Sequence, residues 1–264
     1  MKMNKFLLLF VSLLIFSGKT TIAQVSMEIY SGYSLSMNPE EQFGITGMID
    51  SVAQNKPSKV PNGRGMNIGL KIEYRLNTTL SVAIDAKTQL FTGHEYFNDV
   101  SEYFNCDCNS FMIMGSYGSN KFYNNSYYIS PLLKIYHPLN EQIEFAFSFG
   151  ATMAFSKQYQ RQSYSYYDFY FDTYENHEIK RSLTSKMNLG IKSGIELNYD
   201  LNDNLSLVSS ISIINISFHY TEGQLLDRKI DGQKDNSANY EITESDIRQD
   251  FSQIGLNIGL QYIL

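Results

Sequence analysis

DFSQIGLNIGLQYIL, residues 250–264, sets the reading of the whole chain. Its even positions Ile254, Leu256, Ile258, Leu260, Tyr262 and Leu264 are bulky and apolar. The intervening Gln253, Gly255, Asn257, Gly259 and Gln261 are small or polar, and only Ile263 departs from the rule. A period of two marks a strand with one apolar and one polar face. Strands in soluble sheets usually run about five or six residues, and this one is longer. Such a strand suits a transmembrane barrel, whose outer face meets lipid and whose inner face meets the lumen.

The same period recurs in residues 25–37, 65–75, 80–92, 126–137, 143–155, 186–199 and 205–220. The second of these is the cleanest: Met66, Ile68, Leu70, Ile72 and Tyr74 alternate with Asn67, Gly69, Lys71, Glu73 and Arg75. Pro131 lacks an amide hydrogen for the ladder and predicts a bulge or bend. The alternation changes phase near Ile213 and Ile214, which predicts a second bulge. Connections alternate in length. Long ones span 38–64, 93–125, 156–185 and 221–249, and short ones fall around Asn77-Thr78, at 138–141 and at 200–204. The expected fold is all-β: an eight-stranded antiparallel up-and-down transmembrane β-barrel with four long extracellular loops and three short periplasmic turns. Its last strand should pair with the first, which removes both free edges.

The N-terminus carries Lys2 and Lys5, an apolar run at residues 6–16, and Thr21 and Ala23 at the −3 and −1 positions of a cleavage site. This predicts a secretory signal peptide over residues 1–23, leaving 24–264 as the barrel domain. The apolar run is too short to span a bilayer as a helix. The formal charge of −6 becomes −9 once Lys2, Lys5 and Lys19 leave with the signal, a poor match for nucleic acid. Cys106-Asp107-Cys108 can form a strained local disulfide or stay reduced. It offers too few ligands for a metal, so neither metal nor cofactor is expected.

The inward positions hold the functional information: Glu28, Lys71, Glu73, Arg75, Asp85, Lys87, Lys134, Glu144, Lys192 and Glu196. Acids and bases balance. An eight-stranded barrel is just wide enough for side chains to fill it, and charges buried there must pair. Hairpin arithmetic places Lys71 opposite Asp85 and Lys134 opposite Glu144, near enough for two ion pairs. Lumen packing is the plain reading of these charges; a selective conduction or proton path is the other. The four histidines, His94, His137, His177 and His219, have no serine and acid at a recognisable motif spacing, so no catalytic residue is expected. Residues 156–185 are dense in tyrosine. They are either a binding surface or a ribbon extending strands five and six, its aromatics packed on one another.

The close of the signal at Ala23-Gln24, the phrase GYSLSM in strand one, ISPLLKIY at residues 129–136 and Gly-x-Asn-x-Gly at 255–259 resemble the Bacteroidota outer-membrane β-barrel domain family, the PorT-like or porin-family group. The resemblance implies a barrel in the outer membrane of a Gram-negative-type envelope, set in lipid and inserted by the barrel-assembly machinery. It brings no catalytic residues. The expected function is non-enzymatic: a side-chain-filled barrel that anchors surface loops for recognition of an extracellular ligand or envelope protein, for adhesion, or for a structural role. The alternative is a narrow porin-like transport or secretion-associated barrel. A third reading is an outer-membrane hydrolase with its site at the rim.

Overall fold

The computed structural model describes residues 24–37, 40–42, 58–60, 64–106, 110–168, 173–234 and 247–264; the signal segment and Cys108 lie outside them. The strands are β1 (Gln24–Ser36), β2 (Glu40–Gln42), β3 (Ser58–Val60), β4 (Gly65–Arg75), β5 (Leu80–Cys106), β6 (Ser110–Pro138) and β7 (Ile143–Asp168). They continue with β8 (Thr173–Ser185), β9 (Asn188–Asn202), β10 (Leu205–Asn215), β11 (Ser217–Ile230), β12 (Gln233–Lys234), β13 (Ile247–Asp250) and β14 (Gln253–Ile263). Around the barrel the order is β1-β4-β5-β6-β7-β9-β10-β14, every pair antiparallel. The ring closes as expected, β14 against β1, with Met27 opposite Tyr262 and Ile29 opposite Leu260. Closure leaves the eight staves without a free edge.

Burial is inverted relative to a soluble core. The alternation of β14 and its neighbours puts Ile258, Leu189, Ile84 and Ile68 on the exposed exterior, while Lys71, Asp85, Lys134 and Glu196 are buried inside. Water does not solvate such an exterior cheaply, and lipid does. At one end the three short turns share one device. Asn77 Oδ1 accepts the amides of Thr79 and Leu80, and Asn140 Oδ1 those of Gln142 and Ile143. Asn202 Oδ1 likewise accepts the amide of Asn204. Side-chain carbonyls of this kind stand in for a backbone turn.

At the other end the expected loops 93–125 and 156–185 are largely strand. β5 and β6 run on as a hairpin to Cys106 and Ser110, and β7 and β8 to Asp168 and Thr173. No lipid-facing alternation marks these extensions, because past the apolar band both faces are free to be polar. β7 changes partner at the transition. Ala154 is the last residue opposite β9, and from Lys157 upward the partner is β8. β8 then pairs with β11, and β11 with β12 and β13, so a twisted sheet stands on one side of the barrel mouth. Asp231 and Gly232, both with positive φ (49° and 78°), form the two-residue turn between β11 and β12, the left-handed pair such hairpins require.

Two expected bulges are corrected. Pairing of β6 with β7 skips from Ile129↔Met153 to Leu132↔Gly150, so both strands lose two residues and the register is unchanged. Pro131 cannot donate, but Gly150 fills the gap by close approach: a Cβ there would collide with the Pro131 carbonyl oxygen. At Ile213 and Ile214 no register shift occurs. The inward parity of Ser206, Val208 and Ser212 continues through Ile214, Ile216, Phe218 and Tyr220, all buried. What reads as a phase change is an apolar inner face beginning where the outer face is still apolar.

Candidate functional site

The lumen is filled by one polar network and an apolar cap. All ten charged residues singled out from the sequence lie on the inner face. Eight are buried, while Arg75 and Glu144 stand at the short-turn mouth with about a quarter of their side chains exposed. Lys71 donates to Glu28 at 2.8 Å and to Glu196 at 2.8 Å. Lys134 contacts Glu73 at 2.6 Å and Glu196 at 2.8 Å, and Tyr136 donates its hydroxyl to Glu73 at 2.5 Å. Five charged groups from four staves, β1, β4, β6 and β9, are thus joined in one chain. Lys192 pairs with Asp85, which also accepts the Tyr30 hydroxyl at 2.6 Å. Arg75 Nη2 reaches Glu144 at 2.8 Å. Lys87 is buried 4.6 Å from the centre of the Tyr128 ring. Among the described residues no carboxylate lies within ion-pair distance of it.

The partners differ from those the hairpin arithmetic gives. Lys71 and Asp85 are directly opposite, yet Lys71 turns to Glu28, opposite it on the other neighbouring strand, and across the lumen to Glu196. In so narrow a barrel the far wall is as reachable for a lysine as the adjacent strand. Lys134 faces Ser148, and Glu144 faces Pro138. The turn between β6 and β7 therefore displaces the expected pair by four residues, and Glu144 meets Arg75 instead. Glycine makes room for the bulkiest member. Tyr30 lies between Gly69 and Gly259 on its two neighbours. A Cβ on Gly69 would enter the Tyr30 ring, and one on Gly259 would sit 2.8 Å from Tyr30 Cβ.

Above the charges, Ile214, Ile216, Phe218, Tyr220, Phe251, Leu183, Ala154 and Tyr128 form a buried cluster. Phe218 meets Phe251 edge to face at 4.7 Å, and Tyr220 donates to Ser156 at 3.1 Å. The inward parity of residues 206–220 was the available signal for this cap. Within the network the cavity beside Tyr30, Lys71, Asp85, Lys192 and Glu196 measures about 10 Å³, space for one water at most. A second cavity of about 220 Å³ opens at the short-turn mouth, lined by Glu73, Arg75, Tyr136, Glu144, Asn198 and Gln261 among others. His137 lies at the short-turn end, and His177 and His219 on β8 and β11 of the opposite sheet; they do not converge. The side chains of His94 and Cys106 lie outside the described residues.

On the outer face of the upper sheet, Arg161 Nε contacts Glu178 at 3.1 Å, and Lys180 contacts Glu178 at 3.2 Å and Asp227 at 3.6 Å. Desolvation pulls the Glu178 carboxyl upward, but the Lys180 hydrogen bond and the Arg161 charge together hold it below the usual carboxylate value.

Closed staves, an apolar exterior and a sealed polar interior define a membrane-spanning β-barrel. No protein-family model matches the chain, and no curated protein does. Among solved structures it is similar to a major outer membrane protein of Thermus thermophilus, with 15% identity, a TM-score of 0.41, and coverage of 92% of this chain and 100% of that one. It is also similar to Ail, the attachment invasion locus protein of Yersinia pestis (15%, 0.32, 92% and 100%). Outer membrane protein W of E. coli is a third (10%, 0.32, 92% and 100%).

Proposed function

We propose that this chain is an integral outer-membrane protein whose lumen is a filled, non-conducting core and whose upper sheet carries recognition or adhesion at the cell surface. The observation that carries this reading is the double seal. A charge chain crosses the lumen from Glu28 to Glu73, and an apolar cluster around Phe218 lies above it. An ion would have to part both. The barrel is then an anchor, the long-connection end faces outward, and its sheet supplies the contact area. Among the described residues the histidines do not converge, and the buried charges other than Lys87 are occupied with one another, so the reading gives catalysis no part.

A narrow transport barrel is the second reading, favoured by the cavity of about 220 Å³ at the short-turn mouth. Single-channel recording of purified protein in planar bilayers separates the two. The filled-core reading expects a flat baseline at all voltages that the bilayer tolerates. Stepwise openings that track protein concentration would replace it with the transport reading.

A further inference from the structure

One row of residues on the outer face of the upper sheet runs straight across four strands. Lys121 of β6 is opposite Arg161 of β7, Arg161 is opposite Lys180 of β8, and Lys180 is opposite Asp227 of β11. In register, Glu95 of β5 begins the row. Three cations directly abreast cost stability in an antiparallel sheet unless an anion sits among them. Lys121 has a partner of its own, and for Arg161 and Lys180 the described residues supply only part of that anion. Glu178 takes Arg161 through Nε and Lys180 through Nζ, and Asp227 takes Lys180 and, at 3.9 Å, Lys229. The two terminal nitrogens of Arg161 have no partner among the described residues, and its side chain is 51% exposed. Lys157, two residues below Tyr159 on the same face, lies 5.2 Å from that ring and has no carboxylate within ion-pair distance among the described residues.

Height identifies the occupant. Below the row on the same outward face, Tyr123 is opposite Tyr159, and lower still Tyr127 stacks on Phe155 with ring centres 4.8 Å apart. Beneath these lie Ile129 and Met153, within the apolar band. Tyrosine and phenylalanine mark the membrane–water boundary. Lys157 lies between the two aromatic pairs, and Arg161 is two residues above Tyr159 of the upper pair, roughly 7 Å along the strand. On a tilted strand that rise falls within the headgroup layer, about 5–7 Å deep on each side of the hydrocarbon.

We propose that Lys157 and Arg161, flanked by Lys121 and Lys180, hold the phosphate of an anionic lipid in the surrounding leaflet, with its acyl chains against Tyr127, Phe155 and Met153. A free guanidinium fork is the group best shaped for two phosphate oxygens, and an ammonium beside it adds a second charge. The inference rests on the outer-membrane reading, in which the long-connection end lies in the outer leaflet.

The test uses the full mature chain in phosphatidylcholine nanodiscs, with native mass spectrometry to read lipid retained. The probes are diphosphorylated lipid A, its dephosphorylated form, and a soluble heparin hexasaccharide. The phosphorylated lipid is retained preferentially, and the double variant Lys157→Gln, Arg161→Gln loses that preference by about 25-fold, near fivefold per charge. Asp227→Asn, which takes one carboxylate from Lys180 and Lys229, strengthens retention, so the assignment can be checked even where the double variant folds poorly. Equal retention of the two lipid forms, or an unchanged double variant, overturns it. Tighter binding of the hexasaccharide than of the lipid overturns it in favour of a soluble polyanion. Heat-modifiable migration on the same samples reports insertion. A chain that never inserts removes the membrane reading together with this inference, whereas one that inserts without phosphate preference removes this inference alone.

Discussion

At Glu196 one carboxylate serves two lysines, Lys71 and Lys134, each 2.8 Å away. Removing one member of a buried ion cluster leaves charge without compensation and costs about 3–5 kcal/mol. Glu196→Gln strands both lysines on their remaining partners, Glu28 and Glu73, and should cost that much. Lys87 is the internal contrast. It meets the Tyr128 ring rather than a carboxylate, so Lys87→Met removes a buried charge and breaks no ion pair. That variant should cost far less than Glu196→Gln, or stabilise the barrel. Urea unfolding of both variants in phospholipid vesicles checks the difference. Equal losses would mean that the partner list does not set the energetics of this lumen.

Among the elements, β14 and β10 show what alternation reveals and what it hides. In β14 the outer face is apolar and the inner face small or polar from Gln253 to Gln261, so parity alone places each side chain there, and the same logic puts all ten charges inside. Partners were less legible. Lys71 has two carboxylates directly opposite, Glu28 and Asp85, and a third across the lumen, and strand arithmetic cannot rank them. The cap was hidden for a different reason. From Ile214 to Tyr220 the inner face is apolar while the outer face turns polar after Ile213, and a pattern search reads that exchange as a slip. The extensions of β5 and β6 were hidden too, because alternation reports only strands with unlike solvents on their two faces. The lipid-facing side is testable at Ile258, mid-strand on β14 and 65% exposed. Ile258→Lys should destabilise the barrel by about 2–4 kcal/mol if this face sits near the bilayer midplane, and the same change at Leu264 by much less. Vesicle unfolding with matched lipids reads both. A tolerated lysine at Ile258 would argue that this face is not in lipid.

For the whole molecule, the question is whether anchor and sheet are separable. The β7–β9 ladder runs from Ile143↔Tyr199 to Ala154↔Asn188 and lies wholly within the barrel. The β7–β8 ladder begins above it at Lys157↔Thr184. Gln158 and Leu183 are directly opposite, so residues 159–182 can be excised and replaced by a two-residue Asn-Gly turn, which closes such a hairpin without strain. The lumen network, Phe218 and Phe251 remain in place, and Leu183 still covers the cap. The shortened chain should therefore keep its barrel, read as heat-modifiable migration on an SDS gel. It should also lose Arg161 and Lys180, and with them the preference for phosphorylated lipid and any surface binding that the sheet carries. Failure to form the barrel would mean that the sheet is part of the folding unit. Unchanged surface binding would move recognition to the β5–β6 hairpin or to the connection preceding β4. The excision thus tests the proposed surface role of the sheet separately from the barrel that anchors it.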